Sequence, residues 1–254
     1  MKNLFNAILF ILLSVSVSSS MADDVIRGAF LKFADSRSVS DLAKINAVLK
    51  QSGVSLEQID IPSSALPLVK KSLKEPLSSK DKEVLLDIFS LSKDDVVEQA
   101  VKSNRVPVIK GGGSLKTGEP DAEPYPKVYD LKAMSDADRL KARDKFGPLH
   151  VNATDAMLGV DEVMTLIAGG PWTWYFEVNG EPVELHMSKV YPGEKGWRLN
   201  YPGLTPHGAY FYADEGVAIA YITGPEKWKM RYEAPTLPDS ALLGKNPFID
   251  FTKL

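Results

Sequence analysis

The sequence predicts an α+β fold, with a small helical region followed by an antiparallel β-barrel domain. Three observations carry this prediction. Serine–acid pairs of capping form recur through the first hundred residues, beside apolar stripes at helical spacing. From Val163 onward, short apolar and aromatic runs are separated by Pro or Gly, the punctuation of a sandwich or barrel. Between two of those runs lies Asn179-Gly180, a strong short hairpin signal.

The first 22 residues read as a secretory signal. Lys2 supplies the positive charge, Leu4 to Val17 the apolar run, and Ser20-Met21-Ala22 the small-residue cleavage pattern, so the mature chain is expected to begin at Asp23. The run is shorter than the roughly 20 apolar residues of a spanning helix. No Cys lies near the cut to carry a lipid. The expected location is therefore secreted or periplasmic, with no stable membrane anchor after cleavage.

Composition narrows the chemistry. The 254 residues carry a net charge of −3 and show no Lys/Arg stripe, which argues against a nucleic-acid partner. The chain has no cysteine, so it has no thiolate nucleophile, no disulfide and no Cys-based zinc site. A mature chain of more than 200 residues is long enough for one or two domains with real cores.

Residues 23–105 form the expected helical region. Ser38-x-x-Asp41, Ser78-x-x-Asp81 and Ser92-x-x-Asp95 each offer a hydroxyl to an orphan N–H and an acid to the positive end of a helix. Leu42, Ile45, Val48 and Leu49 make one apolar stripe, with Gly53 as its stop. Val84, Leu85 and Ile88 make a second, and Val96, Val97, Ala100 and Val101 a third, while Pro62, Pro67 and Pro76 interrupt the stretch between. Such a region packs on itself or on the barrel, or it docks a partner protein. It has no histidine and shows no catalytic pattern.

Residues 106–134 read as a Gly/Pro-rich linker. Gly111-Gly112-Gly113-Ser114 before Lys116-Thr117 resembles a phosphate loop only superficially, because Gly118-Glu119-Pro120 stands where an apolar helix should open. Val128, Tyr129 and Leu131 are candidates for an edge strand. The β-barrel domain is placed at 135–233, opening with a short helix from Ser135 to Lys145, and residues 234–254 are a C-terminal extension.

With Asn179-Gly180 as a two-residue turn, the hairpin register follows by counting. Phe176 lies opposite Val183, Trp174 opposite Leu185 and Trp172 opposite Met187. One face of this hairpin is almost wholly apolar. The other carries Thr173, Tyr175, Glu184 and His186. Further strands are expected at Val163–Ala168, Trp197–Tyr201, Ala209–Ala213, Val217–Ile222 and Trp228–Tyr232.

Two segments of this domain resemble the paired motifs of the cupin superfamily, a group of small β-barrels that includes sugar epimerases, metal oxygenases and metal-free binding proteins. Glu162, six residues and Gly169 match the end of the first motif. Gly196, Pro202 and His207 match the spacing of the second, and Val217–Pro225 looks like the strand after that His. The resemblance covers roughly residues 148–233 and implies a cupin-like antiparallel β-barrel, a double-stranded β-helix. The chain departs from the family in two ways. Asp155-Ala156-Met157 stands where His-x-His is expected, and the glycine after the proline comes one position early, at Gly203.

By motif position Glu162 and His207 face into the barrel, as a catalytic acid/base pair or as metal ligands. His150 is the candidate third metal ligand, and His186 joins if the polar hairpin face lines the cavity. Both cofactor states stay open: one divalent metal (Fe, Mn or Zn), or none. Tyr175, His186, Arg198 and Tyr201 are candidate ligand-binding residues, with Asn200 and Lys189 beside Arg198 for an anionic group. The aromatic residues suit a sugar or a small aromatic molecule, and equally suit a plain core.

Three functions follow: a secreted cupin-type enzyme acting on a small organic molecule, a metal-free barrel that binds one, and an interaction protein docking through its helical region. A second copy of the chain, paired through the barrel, is the other partner considered.

Overall fold

The structure, a computed structural model, describes residues 28–105, 125–225, 227–234 and 241–253. The expected signal cleavage site and the triple glycine lie outside the described residues. Among the described residues, no helix is long and apolar enough to cross a membrane.

The domain is built from strands β1 (Ala29–Phe33), β2 (Ser38–Val39), β3 (Ser55–Ile59), β4 (Lys127–Asp130), β5 (Val151–Ala153), β6 (Asp161–Gly169), β7 (Trp172–Val178), β8 (Glu181–Met187), β9 (Gly196–Tyr201), β10 (His207–Tyr210), β11 (Gly216–Thr223) and β12 (Lys229–Arg231). One five-stranded sheet runs β10-β7-β8-β1-β2, and a second runs β3-β9-β6-β11-β4. All pairings are antiparallel. A two-stranded ribbon, β12-β5, joins the first sheet where His150 and His207 form an isolated antiparallel bridge. The sheets are not closed into one continuous barrel.

The β7–β8 register is the one obtained by counting, with Phe176 opposite Val183 and Trp174 opposite Leu185. Asn179 and Gly180 both take positive φ, 52° and 80°, as a type I′ turn requires. Trp172, Trp174 and Phe176 face Trp197, Leu199 and Tyr201 of β9 across a core between the sheets. β6 and β11 are buried on both faces. Met164, Leu166, Ala218 and Ala220 point into that core, while Ile167, Val217 and Ile219 pack outward with Val69, Leu85 and Phe89 of the helices. Two-sided burial explains why β6 reads as a continuous apolar run rather than an alternating one.

The helices are α1 (Leu42–Leu49), α2 (Leu66–Ser72), α3 (Ser79–Ile88), α4 (Lys93–Lys102) and α5 (Asp136–Phe146). Ser78 with Asp81, and Ser92 with Asp95, form full capping boxes. Ser38 does not. It pairs in β2, and Asp41 caps α1 instead by accepting the Lys44 N–H at 2.9 Å. Gly53, at φ 72°, ends the short 3₁₀ turn after α1.

The N-terminal region, expected to be helical, is not wholly so. Besides α1–α4 it supplies β1 and β2 to one sheet and β3 to the other. Ala29, Leu31 and Phe33 of β1 join the central core with Ile45 and Leu49 of α1. β4 likewise pairs with β11 as the outer strand of the second sheet, so this part of the expected linker belongs to the domain.

Candidate functional site

The second sheet presents Glu162 from β6 and Tyr201 from β9 as direct cross-strand partners. Opposite them, the His150–His207 bridge brings β5 against β10, and period-two alternation places His150 and Asn152 on one face of their segment. His150, Asn152, Glu162, Tyr201 and His207 all line one cavity. All five are buried.

The polar contacts form a chain. The Tyr201 hydroxyl donates to Glu162 Oε2 at 2.8 Å. Asn152 Nδ2 donates to Glu162 Oε1 and also lies 3.2 Å from His207 Nε2. His207 Nε2 is 3.4 Å from Glu162 Oε1. His207 Nδ1 lies 2.7 Å from the Thr205 carbonyl oxygen, which can only accept, so Nδ1 carries the proton and the Nε2 lone pair faces the cluster. The Pro148 carbonyl fixes His150 Nδ1 in the same way at 2.9 Å.

Burial sets the charge states. It holds the His150 imidazole well below its ordinary pKa, and the neighbouring His207 adds to that shift, so His150 is neutral near pH 7. Burial, together with the Glu162 carboxylate, raises the Tyr201 hydroxyl well above its ordinary value, so it remains a donor. Among the described residues, one polar atom of the cluster has no partner: Asn152 Oδ1 is buried and accepts nothing.

One glycine allows this closeness. A Cβ on Gly203 would lie 2.2 Å from Val160 O and 2.5 Å from Asn152 O, both backbone atoms. Gly203 therefore presses its turn directly on the segment that carries Asn152, and its carbonyl accepts the Asn152 N–H at 2.7 Å.

The remaining walls are apolar. Tyr129, Phe146, Trp174, Phe211 and Trp228 line the cavity, and among the described residues no lysine or arginine does. The space open to water is about 50 Å³. That is far below the roughly 300–1,000 Å³ of a site for a drug-sized ligand.

Several sequence expectations fall outside this cavity. Tyr175 and His186 lie on the opposite, outer face of the first sheet. There Tyr175 packs under Phe248 and Ile249 of the C-terminal segment, and His186 stacks on Phe30 with ring centroids 4.3 Å apart. His186 also contacts Thr173 Oγ1 and Glu184 Oε2, each at 3.2 Å. The hairpin turns its apolar face inward because that face supplies the core. Its polar face is met by β1 side chains and by residues 241–253.

Arg198 points outward from β9 toward the helices, 4.0 Å from Glu57. Asn200 is on the same face, accepting from Arg105 and donating to Ser103 Oγ at 2.7 Å. Lys189 is paired with Glu215. The anion site expected from Arg198, Asn200 and Lys189 is thus not assembled at the cavity.

Among the described residues no group of three His, Cys, Asp or Glu side chains stands in metal-holding geometry. The residue the sequence reading missed is Asn152. His150 and Asn152, two residues apart, both line the cavity with Glu162, and Asp155 is exposed and paired with Arg231. The signal for Asn152 was the i, i+2 spacing of two polar residues in a strand otherwise made of Val151 and Ala153.

No family model and no curated protein matches the chain. Among solved structures it is similar to an acireductone dioxygenase from Bacillus anthracis with a cadmium ion in its active centre, at 15% identity and a TM-score of 0.49, covering 80% of this chain and 96% of that one. A likeness at that level is too slight to carry a functional inference.

Proposed function

We propose that the protein is a cupin-like barrel whose Asn152–Glu162–His207 cluster holds one divalent cation beside a small-molecule ligand. The observation that carries this reading is the convergence of Glu162 Oε1, His207 Nε2 and the Asn152 amide in one buried cavity. Rotating the amide exchanges its oxygen and nitrogen, an assignment set by hydrogen bonding alone. The oxygen then faces Glu162 Oε1 and His207 Nε2, and three acceptors converge with no proton between them. A positive charge is what such a cluster accommodates.

The donor set fits a metal. An amide oxygen, a carboxylate oxygen and an imidazole nitrogen suit Mn, Fe(II) or Zn. Donors around an ion with bonds of about 2.1 Å lie about 3.0–3.4 Å apart. The two contacts of His207 Nε2, at 3.2 and 3.4 Å, fall in that range. The Asn152–Glu162 contact is closer and has to open. His150, the sequence-predicted third ligand, lines the same cavity, with its ring centroid 4.6 Å from that of His207.

A bound divalent metal would polarise an oxygen of the ligand as a Lewis acid. The chain's own residues prepare for it. Tyr201 orients the Glu162 carboxylate, the Thr205 carbonyl aims the His207 lone pair, and the apolar walls exclude water. In the amide orientation drawn, Asn152 N–H instead bridges Glu162 and His207 without an ion. That arrangement favours the second reading, a metal-free binding barrel, and is the resting state of the first.

Titration of metal-stripped protein with Mn(II) and Zn(II) by calorimetry tests the proposal. One equivalent should bind to the parent and be lost in His207→Ala and Glu162→Gln. Equal binding by parent and variants removes these residues from any metal site. We also infer export from the cell, on the pattern of Lys2, Leu4–Val17 and Ser20-Met21-Ala22. Mass spectrometry of the mature N terminus tests it, with Asp23 expected and an intact Met1 on cytosolic protein contradicting it.

A further inference from the structure

Residues 241–253 form no helix or strand, yet they hold the chain just ahead of the cavity. Leu149 turns both of its backbone polar groups to this segment. Its N–H donates to the Lys245 carbonyl and its carbonyl accepts the Gly244 N–H, each at 2.8 Å. The next residue, His150, turns both of its groups to the opposite side, where they bond His207. That alternation is the antiparallel pattern, so residues 244–245 act as a short extra partner of the strand. β12 holds the same strand further on, over Val151–Ala153. The end that carries His150 thus lies between residues 244–245 and His207. Side chains fasten the segment. Asn246 is buried and donates from Nδ2 to the Gly147 carbonyl at 2.8 Å. Ile249 is buried with Leu149 and Tyr175, and Phe248 stacks on Tyr175 with ring centroids 6.0 Å apart. A Cβ on Gly147 would lie 3.1 Å from both Ile249 Cδ1 and Phe251 Cε1, and one on Gly208 of β10 would lie 2.8 Å from the Gly147 carbonyl oxygen. Gly147 therefore touches both the segment and β10.

From these contacts we propose that residues 241–253 are a strap that positions the His150–His207 bridge and thereby controls cation binding at the Asn152–Glu162–His207 cluster. No residue of the strap lines the cavity, so it acts through Leu149 and His150. With the strap seated, His150 stays against His207, and Asn152, two residues on, stays beside Glu162. With the strap displaced, that end of β5 keeps only the His207 bridge, while the β7–β8 hairpin retains its own pairing. Control of the cation rests on the cluster being the cation site, and control of the bridge does not.

The test compares the full chain with Ile249→Asp, which sets a carboxylate in the buried seat of the strap, and Ile249→Val, which keeps that seat apolar. Residue-resolved amide exchange is measured first, without metal. In Ile249→Asp the amides of His150 and His207 should exchange at least about tenfold faster, while those of the hairpin partners Trp174 and Leu185 stay within about twofold of the parent. Ile249→Val should match the parent throughout. Unchanged protection of His150 and His207 in Ile249→Asp overturns the proposal. So does an equal rise at Trp174 and Leu185, the mark of a general loss of stability. Titration with Mn(II) follows. Affinity should fall about tenfold or more in Ile249→Asp and hold in Ile249→Val. Faster exchange at the bridge with parental affinity overturns the control of the site. A parent that binds no cation defeats the proposed function, and the exchange comparison then decides the strap on its own. If Ile249→Asp fails to fold, Phe248→Ala, which removes the half-buried ring stacked on Tyr175, is read in the same way.

Discussion

His150 and His207 hold each other through two backbone hydrogen bonds, each 2.9 Å, with their imidazole rings 4.6 Å apart. This one bridge attaches the short β5 segment to the first sheet. Asn152, two residues beyond His150, thereby reaches Glu162 on the second sheet. The polar cluster thus depends on a single pair of residues where the sheets approach, and both of their side chains face the cavity.

Acid should weaken the fold through His150. Its folded pKa lies well below the ordinary value of 6.5, so between those two values the unfolded chain binds a proton that the folded chain refuses. The stability contributed by neutral His150 is therefore complete above about pH 6.5 and is lost as pH falls below it, by up to about 1.4 kcal/mol per pH unit. Urea melts of parent and His150→Gln between pH 7.5 and 5 check this. The parent should show the steeper loss, and equal slopes would remove His150 from the account.

Tyr201→Phe should cost about 1.5–3 kcal/mol. It removes the donor to a buried carboxylate at 2.8 Å and the acceptor of Trp174 Nε1 at 3.4 Å. Cation affinity should also fall, by about 10–100-fold, because the carboxylate loses the group that orients it. Chemical denaturation and metal titration read the two effects separately. A stability change under about 0.5 kcal/mol would place the hydroxyl among ordinary surface groups.

Gly203→Ala should destabilise by about 1–3 kcal/mol, since the added Cβ meets the backbone of Val160 and Asn152 rather than a yielding side chain. The same change pushes on the Asn152 segment, so metal binding should weaken along with stability. Wild-type stability and metal affinity in this variant would mean that the turn shifts without strain and that Gly203 does not set the Asn152 position.

The C-terminal half of the fold was largely legible. A two-residue turn fixes hairpin register by counting, so Asn179-Gly180 determined every pair from Trp172–Met187 inward. The capping boxes at Ser78 and Ser92 were readable because their partners lie three residues away. The N-terminal strands were not. β1 is five residues long, too short for Ala29, Leu31 and Phe33 to separate a strand from a helix turn, and its partner β8 lies far along the chain. Which hairpin face enters the cavity was also beyond local reading, because segments distant in sequence cover the polar face. In the site, Glu162, His207 and Tyr201 were singled out in the sequence and share one cavity. Asn152 was missed because its place beside Glu162 depends on the His150–His207 bridge between segments distant in sequence.

The most direct measurement is a crystal structure of the protein grown with manganese, with the anomalous signal used to locate the ion. The account predicts a peak within bonding distance, about 2.0–2.3 Å, of Asn152 Oδ1, a Glu162 oxygen and His207 Nε2, with the Asn152 amide rotated to present its oxygen. A cavity with no anomalous peak and Asn152 N–H still bridging Glu162 and His207, or a peak bound elsewhere, would contradict it.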